Sequence, residues 1–268
     1  MTPHAARFDE ATLGQLNVIE FTREDARWQR PHEIVERDGM LLFTGSSIFP
    51  GACNGVRRVD DRVPGTEVVA AAREFFADHG RGFTLWTRTL PVDDDLADAA
   101  ERAGIGVFGD SPQMTCRDRV PDRDLPVGVT IDLIRDRADV EHFARIGGDS
   151  YAVYGMPADA TASHFNGPTA LVGPNVHAAL ARLDGDPVGA ALVLLSHGIA
   201  GVYWVAVSEP VRGRGIAFAI TQFVTNLAFD LGAANVQLQA STMGEPVYRR
   251  MGYEEIYRYR MHIGMPPN

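Results

Sequence analysis

Two arginines and two glycines sit close together in Val207-Ser-Glu-Pro-Val-Arg212-Gly213-Arg214-Gly215-Ile216-Ala217. An apolar, β-branched run ends at Val207, and a long amphipathic pattern starts at Ile216. A strand that enters a glycine-rich turn and then a helix leaves the first N–H groups of that helix without partners, at the positive end of its dipole. Glycine at 213 and 215 lets the turn bend and lets an anion come close to the main chain. The stretch therefore reads as a site for a phosphate-bearing ligand. Two common phosphate cradles do not fit. The P-loop needs a Gly-Lys pair, and the chain has no lysine. The dinucleotide fingerprint needs a third spaced glycine, which is missing. What remains is Arg212-x-x-Gly215-x-Ala217.

A second stretch lies further on, Ser241-Thr-Met-Gly244-Glu-Pro-Val-Tyr248-Arg-Arg-Met-Gly252-Tyr253. Ser241 suits a helix N-cap. Tyr248 stands four residues before a helix-ending glycine. Such a phenol is either an amphipathic packing residue or a proton donor.

The elements that must position these residues follow from periodicity. The chain has 268 residues, a net charge of −10 and 45% hydrophobic residues, which suits one large or two small globular domains. The acidic balance argues against a nucleic-acid partner. No apolar run is long enough to span a bilayer, and the first thirty residues carry no signal-like segment, so a cytoplasmic protein without a membrane partner is expected. Cys53 and Cys116 form neither a redox nor a metal spacing.

From the N-terminus, a helix is expected over 11–21 and a hairpin over 32–44 turning at Asp38-Gly39, a pair suited to a type I′ turn. A Gly/Ser/Pro loop over 45–55 follows, then a strand over 56–60, a helix over 66–79 and a strand over 83–88. A helix over 93–102 and two strands near 105–108 and 113–116 close the half. Residues 117–128 are polar with prolines and read as a linker. The second half has a strand over 129–134, a helix over 138–146, and a long Gly/Pro/Ala segment over 147–173 with Tyr151, Tyr154, His164 and Phe165. A second hairpin over 177–195 turns at Asp184-Gly185. A strand over 201–207, a helix over 216–231, a strand near 236–240, a helix over 241–251 and a strand over 256–263 finish the chain. The halves repeat one pattern, and Ala103-Gly104-Ile105 lines up with Met251-Gly252-Tyr253. The first copy differs where chemistry would sit. Opposite Arg212–Ala217 it has Asp61-Arg-Val-Pro64-Gly65-Thr66, and opposite Tyr248 it has Ala100.

Taken together, the two motifs resemble those of the GNAT superfamily of N-acetyltransferases, Gln/Arg-x-x-Gly-x-Gly/Ala followed by Asn-x-x-Ala-x3-Tyr-x3-Gly-Phe. Here Ser241 replaces Asn, Gly244 replaces Ala and Tyr253 replaces Phe. The resemblance covers residues 129–268 by motif, and the first half by topology alone. It implies an α+β fold of two tandem GNAT-like units, each a mixed, mostly antiparallel twisted sheet flanked by helices. Residues 1–120 would be a degenerate copy, and 128–268 the domain that holds acetyl-CoA. It further implies that pantetheine lies along the main chain of Val205, Ala206 and Val207, and that pyrophosphate sits on the amides of Gly213 to Ala217. Arg212 and Arg214 would stand near the phosphates, Ser241 near CoA, and Tyr248 would protonate the leaving thiolate. The implied reaction is direct transfer of acetyl to a primary amine of a small molecule or peptide, with no metal. A non-catalytic CoA-binding sensor of the same fold is the rival reading. The strand over 201–207 lacks the carboxylate that serves many family members as base; Asp149, Asp159, His164 and His197 are the alternatives, while Glu209 lies too near the phosphate end. The sequence sets no oligomeric state, a homodimer being one open arrangement.

Overall fold

The computed structural model describes residues 8–51 and 53–265. The N-terminal half contains α1 (Glu10–Trp28), β1 (Glu33–Arg37), β2 (Met40–Thr44), β3 (Asn54–Arg58), α2 (Gly65–Asp78), β4 (Phe83–Arg88), α3 (Asp94–Arg102) and β5 (Gly106–Cys116). The C-terminal half contains β6 (Val129–Leu133), α4 (Arg137–Tyr151), α5 (Ala158–Ser163), β7 (Val176–Leu183), β8 (Asp186–Ser196), β9 (Ile199–Val207), α6 (Ile216–Asp230), β10 (Val236–Gln239), α7 (Glu245–Arg250) and β11 (Glu254–Gly264). The repeat is explicit in this order. The β1–β2 and β7–β8 hairpins turn on Asp38-Gly39 and Asp184-Gly185, and all four residues have φ between 51° and 96°. Positive φ at both central positions defines the type I′ turn that the Asp-Gly pairs favour.

All strands join one 11-stranded sheet in the order β1-β2-β3-β4-β11-β5-β10-β9-β8-β7-β6. The two halves exchange their closing strands. β11 lies between β4 and β5 of the other half, antiparallel to both, and β5 pairs with β10. Only β3/β4 and β9/β10 are parallel, as their helical crossovers through α2 and α6 require. Both parallel pairings are short. β3 meets β4 at Gly55↔Thr84 and Val56↔Leu85, and β9 meets β10 only from Ala200↔Val236 to Val202↔Leu238.

One face of the C-terminal part buries α6, through Ile220 and Val224, together with Val202, Tyr248 and Met251. The other face holds α4 and, from the N-terminal half, α1. Trp28 of α1 packs with Phe143, Phe165 and Trp204, and Phe21 stacks on Tyr203 with centroids 3.7 Å apart. The first helix therefore covers the second half's sheet. It is also longer than its periodicity shows, running from an Asp9 N-cap, which accepts from Thr12 N at 2.8 Å, to Trp28. Three other boundaries differ from expectation. The two strands expected near 105–108 and 113–116 are one strand, β5, held along its length by β11. α4 continues through Gly147 and Gly148 to Tyr151, because Gly148 faces Ala158 of α5 at close range. α7 begins at Glu245, preceded by a turn that starts at Ser241.

The linker over 117–128 is fastened rather than loose. Asn226 of α6 bonds both the N–H and the carbonyl of Val120 at 2.9 Å, and Gln222 donates to Pro121 O at 2.5 Å.

Candidate active site

The site is built where β9 and β10 part. Beyond Val202 and Leu238 the two strands no longer pair. β10 ends at Gln239, and Ala240 N turns to Pro112 O of β5 at 2.9 Å. β9 instead stays with β8 as far as Val207. The edge of β9 over Tyr203 to Val207 that would have met β10 is left without a strand partner among the described residues. Extended backbone of this kind is an acceptor for an added strand.

A bulge marks the same stretch. Ala190 faces Ala206 and Leu192 faces Tyr203, so two residues of β9 oppose one of β8. Trp204 takes φ +54° there, a backbone state that costs a non-glycine residue about 1–3 kcal/mol. The bulge sends two consecutive side chains to one face. Tyr203 lies on Phe21, and Trp204 lies against Tyr151, His164 and Phe165 with centroids 5.1, 4.9 and 5.3 Å away. Val202 and Val205 pack on the opposite, α6 side.

The glycine turn follows as the spacing requires. Gly213 and Gly215 have φ +80° and +81°. No atom lies within 4 Å of a Cβ built on Gly213, and only Pro126 Cγ, at 3.6 Å, approaches one on Gly215. Backbone conformation, not crowding, selects glycine at both positions. Gly215 is the N-cap of α6, and no side chain caps the helix. The first-turn N–H groups at Ile216 and Ala217 are therefore not occupied by the protein's own side chains. The two arginines divide. Arg212 turns back, its Nε donating to Val207 O at 3.1 Å, and so fastens the strand end to the turn. Arg214 is exposed beside the open helix start. The linker brings a further cation that its sequence did not single out: the Arg123 guanidinium lies 4.5 Å from the Phe218 ring centroid in the first turn of α6.

Tyr248 sits at the inner end of the cleft. It is 7% exposed, and its ring lies where a Cβ on Gly244 would stand, 2.7 Å from Cε2. That contact explains glycine at 244. Burial, reinforced by Tyr151 and Tyr154 nearby, pushes the phenol well above its ordinary pKa, so the proton is retained. Tyr151, at the end of α4, also has a raised pKa from burial, and its hydroxyl makes a long 3.5 Å contact with Val205 O. Tyr151 thus lies beside the open edge of β9. Ser241 is a cap: its Oγ accepts from Gly244 N at 3.1 Å and its carbonyl from Glu245 N at 2.9 Å.

The alternative bases fall elsewhere. Asp149 pairs with Arg145 at 3.8 Å, Asp159 and Glu209 are exposed, and His197 lies in the β8–β9 turn at the far end of β9. His164 is fully buried. Its Nδ1 is 2.6 Å from Asp25 Oδ2 of α1, its Nε2 is 3.1 Å from Cys53 Sγ, and Asp25 Oδ1 also accepts from Trp204 Nε1 at 3.3 Å. Burial pushes the imidazole down, but the Asp25 carboxylate, then Cys53, outweigh it and hold His164 well above its usual value. This cluster ties both halves together behind the Trp204 bulge.

The equivalent place in the first half is filled. β3 and β4 part after Val56 and Leu85, and the gap holds Arg58, Arg88 and Asp93, all nearly buried. Asp93 bonds Arg58 Nη2 at 2.5 Å, and Arg88 N and Nε at 2.6 and 2.8 Å. Burial pushes the Asp93 carboxyl up, and Arg88 and Arg58 pull it back below the usual range. The start of α2 is stoppered too. Asp95 accepts from Gly65 N at 2.7 Å, and a Cβ on Gly65 would stand 2.4 Å from Leu96 Cα.

A splayed parallel pair leading into an uncapped helix start is repeated once in closed form in the first half. Residues 147–253 match the acetyltransferase (GNAT) family, so the second half carries a GNAT domain. Solved structures share the whole architecture. A GCN5-related N-acetyltransferase from Kribbella flavida has a TM-score of 0.70 at 20% identity, with 97% of each chain covered. A tandem GNAT protein from the clavulanic acid biosynthesis pathway has a TM-score of 0.60 at 15% identity, again over 97% of each chain. A GCN5-related N-acetyltransferase from Sphaerobacter thermophilus has a TM-score of 0.56 at 19% identity, over 84% of this chain and 80% of that one. These likenesses establish the tandem GNAT fold. No protein of curated function matches the chain in sequence. No helix among the described residues is long and apolar enough to cross a membrane, and no metal-type cluster occurs among them.

Proposed function

We propose that the protein is an acetyl-CoA-dependent N-acetyltransferase whose donor site lies in residues 128–268, with residues 1–120 as a structural copy that binds no CoA. The observation that carries this is the unpaired β9 edge running into the uncapped start of α6. Pantetheine would pair with the main chain of Val205, Ala206 and Val207, and pyrophosphate would sit on the N–H groups from Gly213 to Ala217. Arg214, with Arg123 from the linker, would supply charge beside the phosphates; Arg212 would act by holding the turn. A β9 N–H would polarise the thioester carbonyl and stabilise the tetrahedral oxyanion. A neutral primary amine, on a small molecule or peptide, attacks the carbonyl carbon. The C–S bond breaks, Tyr248 gives its proton to the departing sulfur, and the proton shed by the attacking nitrogen restores the phenol through solvent. The internal ion pairs of the first half support its structural role, since Asp95 already occupies the helix start that an anion would need.

A CoA-binding sensor of the same fold is the second reading, favoured by the absence of a carboxylate on β9. Calorimetric titration with acetyl-CoA and thiol release with a panel of amines test both. Absence of binding overturns both readings. Tight binding at one site per chain without thiol release from any amine leaves the sensor.

A further inference from the structure

Arg57 of β3 is buried, with 7% exposure, yet its Nε and Nη1 have no hydrogen-bond partner. Its neighbour Arg58 shows how the fold treats a buried arginine it intends to neutralise, with Asp93, Asp95 and two carbonyls arranged around it. Arg57 has no carboxylate in ion-pair range among the described residues, and burial depresses its pKa to about 10. The guanidinium lies flat on Trp86, 3.7 Å from the ring centroid, with Tyr259 at 5.8 Å. A stacked ring satisfies the face of a guanidinium and leaves its in-plane donors unmet. Those in-plane donors match a carboxylate.

Arg57 lies on the face of the sheet that α1 covers. Strand alternation sends Val56 to the α2 side and Arg57 to the α1 side. On that side Tyr259 bonds Gln15 of α1, and Tyr257 and Tyr259 hydroxyls are 3.2 Å apart. Tyr203, the residue before the Trp204 bulge, also faces α1, where it stacks on Phe21. An unneutralised cation thus lies in a tyrosine-rich region on the α1 side of the sheet.

We propose that Arg57 is the anchor for a carboxylate on the acceptor, so that the substrate class is an amine that also carries a carboxylate and an apolar or aromatic body. The assignment of that anion to an acceptor rests on the transferase reading; the anion site itself does not. In it the first half contributes a binding residue to chemistry carried out by the second.

Thermal shift and calorimetry on the full chain test this with acetate, 3-phenylpropanoate and phenylalanine against phenethylamine, which has the ring and amine but no carboxylate. The expected result is a thermal upshift with the carboxylates and none with phenethylamine. Arg57→Met should melt higher than wild type without ligand, because an apolar side chain removes an unpaired buried charge, and should lose the carboxylate response. Should Arg57→Met fail to fold, Arg57→Gln and the wild-type titrations decide. In turnover, the variant should raise KM for carboxylate-bearing amines on the order of 10- to 100-fold while KM for acetyl-CoA stays unchanged. The proposal is overturned if no carboxylate shifts the wild type, or if the shift persists in the variants. Carboxylate binding with no thiol release from any amine keeps the anion site and removes the transferase reading; turnover of phenethylamine equal to that of phenylalanine does the reverse.

Discussion

Replacing Tyr248 by Phe separates chemistry from packing, because the hydroxyl has no hydrogen-bond partner in the protein among the described residues while the ring is closely packed. The ring fills the space over Gly244 and lies 6.0 Å from the Tyr253 ring, and phenylalanine keeps both contacts. No internal bond is lost, so the stability change should stay within about 0.5 kcal/mol, the range for substitutions that touch no special feature. At this chain length that is a Tm shift of about 1–2 °C. Loss of a general acid costs about 10²- to 10⁴-fold in turnover, or about 2.7–5.5 kcal/mol of barrier. The two effects differ enough to be read independently. Thiol release at saturating acetyl-CoA gives kcat, calorimetry gives CoA affinity, and a melting curve gives stability. The expected result is a large fall in kcat with affinity and Tm near wild type. Because burial raises the Tyr248 pKa, the wild-type rate should also show no loss from phenol ionisation near the ordinary tyrosine value of about 10. Turnover in Tyr248→Phe within about threefold of wild type, far short of the general-acid effect, would refute the acid role and leave packing.

Gly215→Ala forces a side chain into φ +81° without a steric clash; it should cost about 1–2 kcal/mol, lower Tm by a few degrees, and weaken acetyl-CoA binding in calorimetry. Asp93→Ala leaves Arg58 and Arg88 buried without their shared acid, and chemical denaturation should show a loss of about 3–5 kcal/mol; the Asp93 pKa is depressed on folding, so its contribution is present above the unfolded carboxylate pKa and is lost as pH falls through the folded value. His164 behaves with the opposite sign. Its pKa is raised on folding, so its contribution is complete below the unfolded pKa and is lost as pH rises through the folded value; the alkaline decline in Tm should flatten in His164→Gln, whose melting point at pH 6 should be lower than wild type.

Much of the local geometry at the candidate site was readable in one dimension. The turn residues, the Gly213/Gly215 pair and the spacing from Ser241 to Tyr253 are local features, and each takes the backbone state that its residue types favour. The tandem repeat was readable too, since Asp-Gly turns and glycine helix stops recur at matching places. Arg212 shows the limit. Its position in the motif marks it as a phosphate partner, whereas its Nε is bound to Val207 O, a contact that depends on how the short helical turn over 209–211 folds the chain back. Tyr151 was hidden for a related reason, because its place beside Val205 depends on α4 running through two glycines that periodicity treats as a stop.

Sequence alone determined the Asp-Gly turns and which helix start stays open, because those properties depend on neighbours a few positions away. Tertiary structure alone decided that β5 and β11 change places, since no local pattern says which closing strand lies beside β4. It decided that α1 covers the other half's sheet, that Asp25, Cys53 and His164 meet across long loops, and that Arg58 finds acids while Arg57 finds none. Such pairings join residues tens to hundreds of positions apart, where no local pattern registers them, and only the packed chain selects among them.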